Sequence, residues 1–434
     1  MRKDELKQLV CAAIDARREH IIRLAESIWQ NPELAFREHK TGELLAGELA
    51  GLNLPLRRNL ALTGCRADLS CALPGPAVAI LGEMDALLLP EHPAADPSTG
   101  AAHACGHHTQ CANLIGAAIG LTAAPEVRRE LSGSIAFIAV PAEEHHETAH
   151  YKGLGLKYTS GKQQMIHDGV FDDIGLAMMV HAGHGTFTVS GFNGFVLKTV
   201  VFKGKAAHAG LHPEHGVNAL SMARLALAAV DAQRDTFRND DAVRIHGVIT
   251  NGGDALNIVP PHVELSLQIR AKTPSAIREA AAKVDRSMHA AALALGGAVA
   301  ITSEQGYMPF RSCTALEQIH EQNLQALDPE AKLTNYGHRP SSTDMGDISV
   351  IIPSLHAYSD GSTGKPHQID FRVTDPERAY IRPAKLLAMN VIDLLYGDAA
   401  RGREAAALPV EFTREQYLKM TATPVTKQEW SHLD

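Results

Sequence analysis

The sequence predicts an α/β fold, a mixed and mostly parallel sheet sandwiched by helices and interrupted by an inserted α+β domain. Short, almost wholly apolar runs alternate with helical stretches, as in layered folds whose parallel strands are buried on both faces. Each of those runs ends in a polar cluster. Between about 191 and 305 the rhythm changes to alternating strands and two long helices rich in Ala and Leu.

Taken in chain order, Leu6, Val10, Ala13, Ile14, Ile21, Leu24 and Ile28 recur at three- and four-residue steps across 5–29, the mark of an amphipathic helix. The apolar runs 77–81, 134–140 and 177–180 read as buried strands, with a helix over 112–123 between the first two. Glu83-Met84-Asp85 follows the first run, Glu143-Glu144 the second and His181 the third. Ligand sites in open α/β sheets collect at the carboxyl ends of strands, so the three polar exits point to one shared site. The region 191–305 reads strand 196–202, helix 217–230, strands 243–249 and 263–270, helix 274–295 and strand 298–302, the split pattern of a ferredoxin-like unit. The expected organisation is one discontinuous domain, 1–190 with 306–434, carrying 191–305 as an insertion. The first domain should end with a helix over 379–395, leaving 401–434 as a polar tail.

At 434 residues the chain suits two or three domains of roughly 100–200 residues each, with a core large enough to need no disulfide. Its six cysteines are irregularly spaced, which fits thiols in a reducing compartment. The stretch Met1-Arg2-Lys3-Asp4-Glu5 lacks the apolar core of a signal peptide, and no apolar run nears the ~18 residues of a membrane span. A cytoplasmic protein without a membrane partner is the expectation. Forty-one basic against forty-nine acidic residues, a net charge of −8, argue against a nucleic-acid partner. The anomaly is 23 histidines, many beside Glu, Asp, Cys or Gly, and the chemistry is sought there.

Cys105 and His107, two residues apart between a Pro/Gly-rich loop and a helix start, are donor types that bind a borderline-soft metal. A helix start with a buried Cys and a surface His reads the same segment equally well. Glu143 and Glu144 directly terminate a buried strand, where one carboxylate can bind metal while its neighbour acts as general base. His181 by itself reads as a packed core residue, and His367, in a Gly-Lys-Pro-His-Gln turn, as a surface one.

Read together, Glu83-Met84-Asp85-Ala86-Leu87, His103-Ala104-Cys105-Gly106-His107, Pro141-Ala142-Glu143-Glu144, His181, Gly204-Lys205-Ala206-Ala207-His208-Ala209, Gly216-Val217-Asn218-Ala219-Leu220, Gly252-Gly253 with Asn257-Ile258-Val259-Pro260, and His367 form an ordered series. Over about 22–395 the series resembles the metal-dependent aminoacylase, hippurate hydrolase and carboxypeptidase G clan, in particular its bacterial and plant N-acyl-amino-acid amidohydrolases. The resemblance implies a metal-dependent exopeptidase type of fold whose inserted domain is the lid and dimerisation module. It implies metal ligands at Cys105, His107, Glu144, His181 and His367, holding one or two divalent ions per subunit (Zn, Mn, Ni or Co). Glu143 would be the general base and Asp85 the carboxylate that orients a ligand. His208 would reach into the neighbouring subunit's site and stabilise the oxyanion, making a homodimer or higher oligomer part of the mechanism. Asn257 and Arg270 would hold a small, carboxylate-bearing substrate.

The sequence departs from the clan's usual Asp-Gly-His-Thr after Cys-Gly-His, reading His108-Thr109-Gln110, and has Glu83 where Asp is usual. His145 and His146 replace the Gly that more often follows the paired glutamates, and Ser341–Asp347 fits a polar loop near the substrate. The leading reading is hydrolysis of the amide of an N-acyl amino acid or aminobenzoate-type amide. The alternative is hydrolytic deamination of an aromatic amine, such as a nitroanthranilate, with release of ammonia. A third reading, a non-catalytic ligand-binding homologue, predicts the loss of ligand or base positions, and every one of them is present.

Overall fold

The computed structural model describes residues 1–144, 148–151 and 153–433, and the chain divides into two compact units. The first comprises Met1–Ser190, Arg311–His338 and Asp347–Glu415. Its centre is an eight-stranded sheet in which Leu73–Glu83 lies between Ser132–Val140 and Leu176–Ala182, parallel to both, with Ser354–Ser359 parallel beyond Leu176–Ala182. Leu56–Leu60 and Gly64–Ser70 extend the sheet antiparallel at one side. The apolar runs become the strands because helices cover both faces. The interior residues Val78–Leu81, Ile135–Val140 and Leu176–Val180 are all buried, and burying each Val, Ile, Leu or Phe there contributes about 1.5–3 kcal/mol.

The helix His107–Thr122 is buried on every side as far as Leu121, which is why its sequence shows no clean polar face. The N-terminal periodicity yields two helices, Lys3–Ala16 and Arg18–Trp29, where one was expected. The chain tightens at Arg17, whose N–H bonds the Ile14 carbonyl, but the buried stripe Leu6, Val10, Ile14, Ile21, Leu24 and Ile28 runs on through the break. Lys3 and Lys7 anchor the first helix on Asp393, at 2.7 and 2.5 Å.

The second unit comprises Gly191–Phe310, Arg339–Gly346 and Gln416–Asp434. Its sheet is wholly antiparallel, in the order Arg244–Asn251, His262–Ala271, Gly194–Lys203, Ala298–Gln305, Val425–Ser431. The first four strands, with the helices Ala219–Ala232 and Pro274–Ala294, have the ferredoxin-like arrangement. Val200, Phe202, Met222, Leu265, Val284, Met288 and Ile301 form the core.

The fifth strand differs from the expected polar tail. Val425–Ser431 pairs with Ala298–Gln305 over its whole length, and the Trp430 ring stacks on His289 at 4.7 Å. It reads as polar because nearly all of it is exposed and only Trp430 is half-buried, so the ladder of backbone hydrogen bonds, not an apolar face, fixes it. The second unit therefore reaches past 191–305 to include 306–310, 339–346 and 416–434. Phe192, Phe195, Tyr307 and Phe310 are buried in this unit, with Phe195 against Tyr307 at 4.8 Å. Among the described residues no helix is long and apolar enough to cross a membrane.

Candidate active site

Topology brings the three polar strand exits together. Because Leu73–Glu83 is the shared neighbour of Ser132–Val140 and Leu176–Ala182, and all three run the same way, Glu83, the Glu143-Glu144 pair and His181 emerge side by side. Cys105 and His107 arrive from the start of the helix His107–Thr122. Gly106 makes that entry possible: its φ is +94°, and a Cβ there would lie 2.7 Å from the Ala182 Cβ.

All five expected ligands meet in the first unit, in two overlapping sets. Donor atoms of Cys105, His107 and His181 lie within 4.8 Å of one another, and so do those of Cys105, Glu144 and His367. Cys105 belongs to both, with its Sγ 3.5 Å from His181 Nε2. His367 Nε2 is 3.6 Å from Glu144 Oε1, and the His367 backbone is left-handed at φ +63°, held by its N–H bond to the Ala104 carbonyl. Glu143 Oε2 sits 3.8 Å from His107 Nε2.

Asp85 ties the two sides of the site together. Its Oδ1 takes the His107 Nδ1 proton at 3.1 Å and its Oδ2 accepts the Glu144 N–H at 2.7 Å. The His107 tautomer is thereby fixed, with Nε2 presented to the cluster.

The donor chemistry suits a divalent cation. Thiolate, imidazole and carboxylate converge in a buried space, while His107 Nε2 and Glu144 Oε1 have no hydrogen-bond partner although both are buried. The electrostatics agree. Burial, reinforced by the Glu144 charge, pushes the Cys105 thiol well up, and burial likewise raises Glu144. Burial alone would favour a neutral His107, but Cys105, Glu83 and Asp85 outweigh it and draw that ring's pKa well up. His181 is held down to about 4 by burial and by His107.

Two of the departures from the usual pattern, Gln110 and Glu83, touch. Gln110 Nε2 donates to Glu83 Oε2 at 2.7 Å, and the Gln110 side-chain oxygen accepts the Glu83 N–H at 3.2 Å. The other Glu83 oxygen is bonded by the Lys162 ammonium, and both side chains are buried. Burial opposes ionisation of Glu83, but Lys162 and then His107 outweigh it and hold the carboxyl well below the usual range. Glu83 Oε2 is also 3.3 Å from His107 Nε2, and Glu83, His107 and Glu143 form a third close donor group.

Lys162 carries no signal in the sequence, where Ser160-Gly161-Lys162 reads as a surface turn. Its position follows from the Pro141 corner that Gly161 packs against. His108 is fully buried and turned toward Trp29, at 4.9 Å between ring centroids, and toward His103 at 5.4 Å. His145 and His146 lie outside the described residues.

In the second unit His208 and Asn257 are exposed neighbours, linked by the Ala209 N–H to the Asn257 carbonyl at 2.9 Å. His208 Nδ1 accepts the Gly210 and Leu211 N–H groups, which places the ring proton on Nε2. Arg270 lies on the strand His262–Ala271, over the Phe195 ring, and donates to Ser342 Oγ at 3.0 Å, which seats the Ser341–Asp347 loop against it. No ion pair to Arg270 occurs among the described residues.

Comparison with known proteins places this geometry. Residues 187–294 match the peptidase dimerisation domain of the M20 family. The chain is 29% identical to the mouse Xaa-Arg dipeptidase, over 96% of this chain and 95% of that protein. It is 30% identical to one of the two chains of the Escherichia coli p-aminobenzoyl-glutamate hydrolase, over 67% of this chain and 58% of that one. Residues 187–294 carry the M20 dimerisation domain, and the relatives of the chain are hydrolases of the kind that the sequence resembles. A dinuclear metal-binding M20 peptidase of Bacillus subtilis shares the fold, with a TM-score of 0.70 and 19% identity over 88% of this chain and 99% of that one. Like these relatives, the protein is a hydrolase acting on carbon–nitrogen bonds.

Proposed function

We propose that this hydrolase cleaves an amide whose departing amine is an amino acid with a free carboxylate, using two divalent cations and Glu143 as general base. The observation that carries the reading is the pair of overlapping donor sets sharing Cys105, with Glu143 beside them and outside both. Thiolate and imidazole donors suit Zn, Co or Ni, and the added carboxylate also admits Mn. When bound, such cations polarise the scissile carbonyl and acidify the attacking water.

Glu143 takes the proton from that water and delivers it to the departing nitrogen. Asp85 holds His107 and the Glu144 backbone in place throughout. Arg270, a guanidinium without a carboxylate partner among the described residues, is suited to grip the substrate carboxylate in a fork. The relatives named above act on a dipeptide ending in Arg and on aminobenzoyl-glutamate, and both substrates carry that carboxylate.

The test is a panel of Xaa-Arg dipeptides, p-aminobenzoyl-glutamate, N-acetyl amino acids and 5-nitroanthranilate, with free amino acid and free ammonia both measured. Release of amino acid without ammonia supports the reading. Ammonia from the nitroanthranilate alone replaces it with aromatic deamination, and no turnover by the metal-loaded protein overturns both.

A dimer with shared sites is part of the proposal. The strand Arg244–Asn251 is the outermost of its sheet and exposes Val248 and Ile249, a free edge of the kind that pairs with a second copy. His208 would then donate its Nε2 proton to the oxyanion in the partner's site. His208→Ala should cut turnover by about a hundredfold without unfolding the protein. Equimolar mixing of His208→Ala with Glu143→Gln subunits should restore roughly a quarter of wild-type activity, since half the dimers are mixed and each holds one intact site. No recovery on mixing would show that the residue acts within its own subunit.

A further inference from the structure

Glu38 lies outside the donor sets, is fully buried and makes hydrogen bonds at both side-chain oxygens. Its Oε1 accepts the N–H of Ala142 at 2.9 Å and that of Phe36 at 2.9 Å, while Thr63 Oγ1 lies 2.6 Å from Oε2. Ala142 is the residue immediately before Glu143. Its φ is +53°, a left-handed backbone that an L side chain rarely adopts, and it is completely buried.

The other side of this corner is clamped as well. The Ala142 carbonyl accepts the Gly161 N–H at 3.0 Å, and Gly161 packs so closely that a Cβ there would lie 1.8 Å from the Pro141 carbonyl oxygen. Both backbone groups of the strained residue are therefore tied, one of them to a side chain far earlier in the chain.

We propose that Glu38 is a positioning residue for the reaction: by accepting the Ala142 N–H it holds the left-handed corner that aims Glu143. The inference rests on the assignment of Glu143 as base. No contact of Glu38 with the donor sets is involved, and the strand Ser132–Val140 ends before the corner, so strand pairing does not fix it. What the corner needs is an acceptor at one point, not a charge. Burial, with the Asp85 charge nearby, lifts the Glu38 carboxyl to about 8, which favours the neutral acid. An amide can make the same bonds.

The experiment compares Glu38→Gln and Glu38→Met in the full-length, zinc-loaded protein. Hydrogen exchange is followed in the peptide covering 139–144, and kcat and KM are measured on whichever substrate of the panel turns over fastest. Glu38→Met should exchange at least roughly tenfold faster at that corner and lose about a hundredfold in kcat, with KM and zinc content unchanged. Glu38→Gln should stay within about threefold of wild type on both measures. Adding Ala142→Gly to Glu38→Met should recover about tenfold of the lost kcat, because glycine adopts the left-handed corner without a clamp.

Wild-type exchange and kcat in Glu38→Met would overturn the proposal, and so would equal losses in the Gln and Met variants. If Glu38→Met does not fold, Thr63→Val, which removes the hydroxyl holding Oε2, should lower kcat by about tenfold. An unchanged kcat in that variant would be equally fatal. Glu143→Gln is run alongside: full turnover there brings down the assignment of the base, whereas the exchange data still report whether Glu38 holds the corner.

Discussion

Glu143→Gln should lower turnover by about a thousandfold while leaving metal content and melting temperature unchanged. The reason is the division of labour between two adjacent carboxylates. Glu144 shares donor range with Cys105 and His367, and its backbone N–H is fixed by Asp85. Glu143 joins neither of those two sets, so removing its basicity should not release an ion they hold. Gln preserves the volume and the hydrogen-bonding capacity of the side chain but cannot accept a proton from water. A Michaelis constant close to wild type is expected, since the loss falls on the transition state and not on binding. Loss of metal in step with turnover would mean that Glu143 is itself a ligand, through the third donor group with Glu83 and His107.

Lys162→Met should destabilise the protein by about 3–5 kcal/mol, because it strands the Glu83 carboxylate in the interior without its cation. The expected fall in melting temperature is about 5–8 °C. Met fills most of the lysine volume, so packing loss is a minor part of the effect. Glu83→Gln in the same protein should recover most of the stability, since a neutral amide still bonds Gln110 and needs no counter-charge.

The pH dependence has a definite sign. In the wild type the Glu83 carboxyl is held well below its ordinary value, so its contribution is present above about pH 4.5 and is lost as pH falls below that. Without Lys162 the largest of the charges that lower the Glu83 pKa is gone, so the variant should protonate Glu83 at a higher pH than the wild type does. The gap between variant and wild type should therefore narrow as pH drops through about 5. Chemical denaturation at pH 8 and pH 5 measures it.

The central strands were legible because residues buried on both faces leave uninterrupted apolar runs, and 77–81, 134–140 and 177–180 each lie inside an observed strand. The five candidate ligands Cys105, His107, Glu144, His181 and His367 were legible as a set only through the resemblance to a known clan, since by pattern alone His181 reads as core and His367 as surface. Lys162 and Glu38 were not. Each looks like an ordinary exposed charge, and only long-range packing buries it, against Glu83 in one case and Ala142 in the other. The helical turn after His107 carries the neighbouring His108 ring toward Trp29. The last strand was hidden because a strand at the edge of a sheet needs no apolar face when its backbone is paired.

The most direct test of the account is the metal content of wild type, His367→Ala and Cys105→Ala after reconstitution with zinc and removal of the excess. Cys105 belongs to both donor sets and His367 to one, so the expected stoichiometries are about two, one and zero ions per chain. A wild-type protein that retains no zinc, or a Cys105→Ala protein that retains both ions, would contradict it.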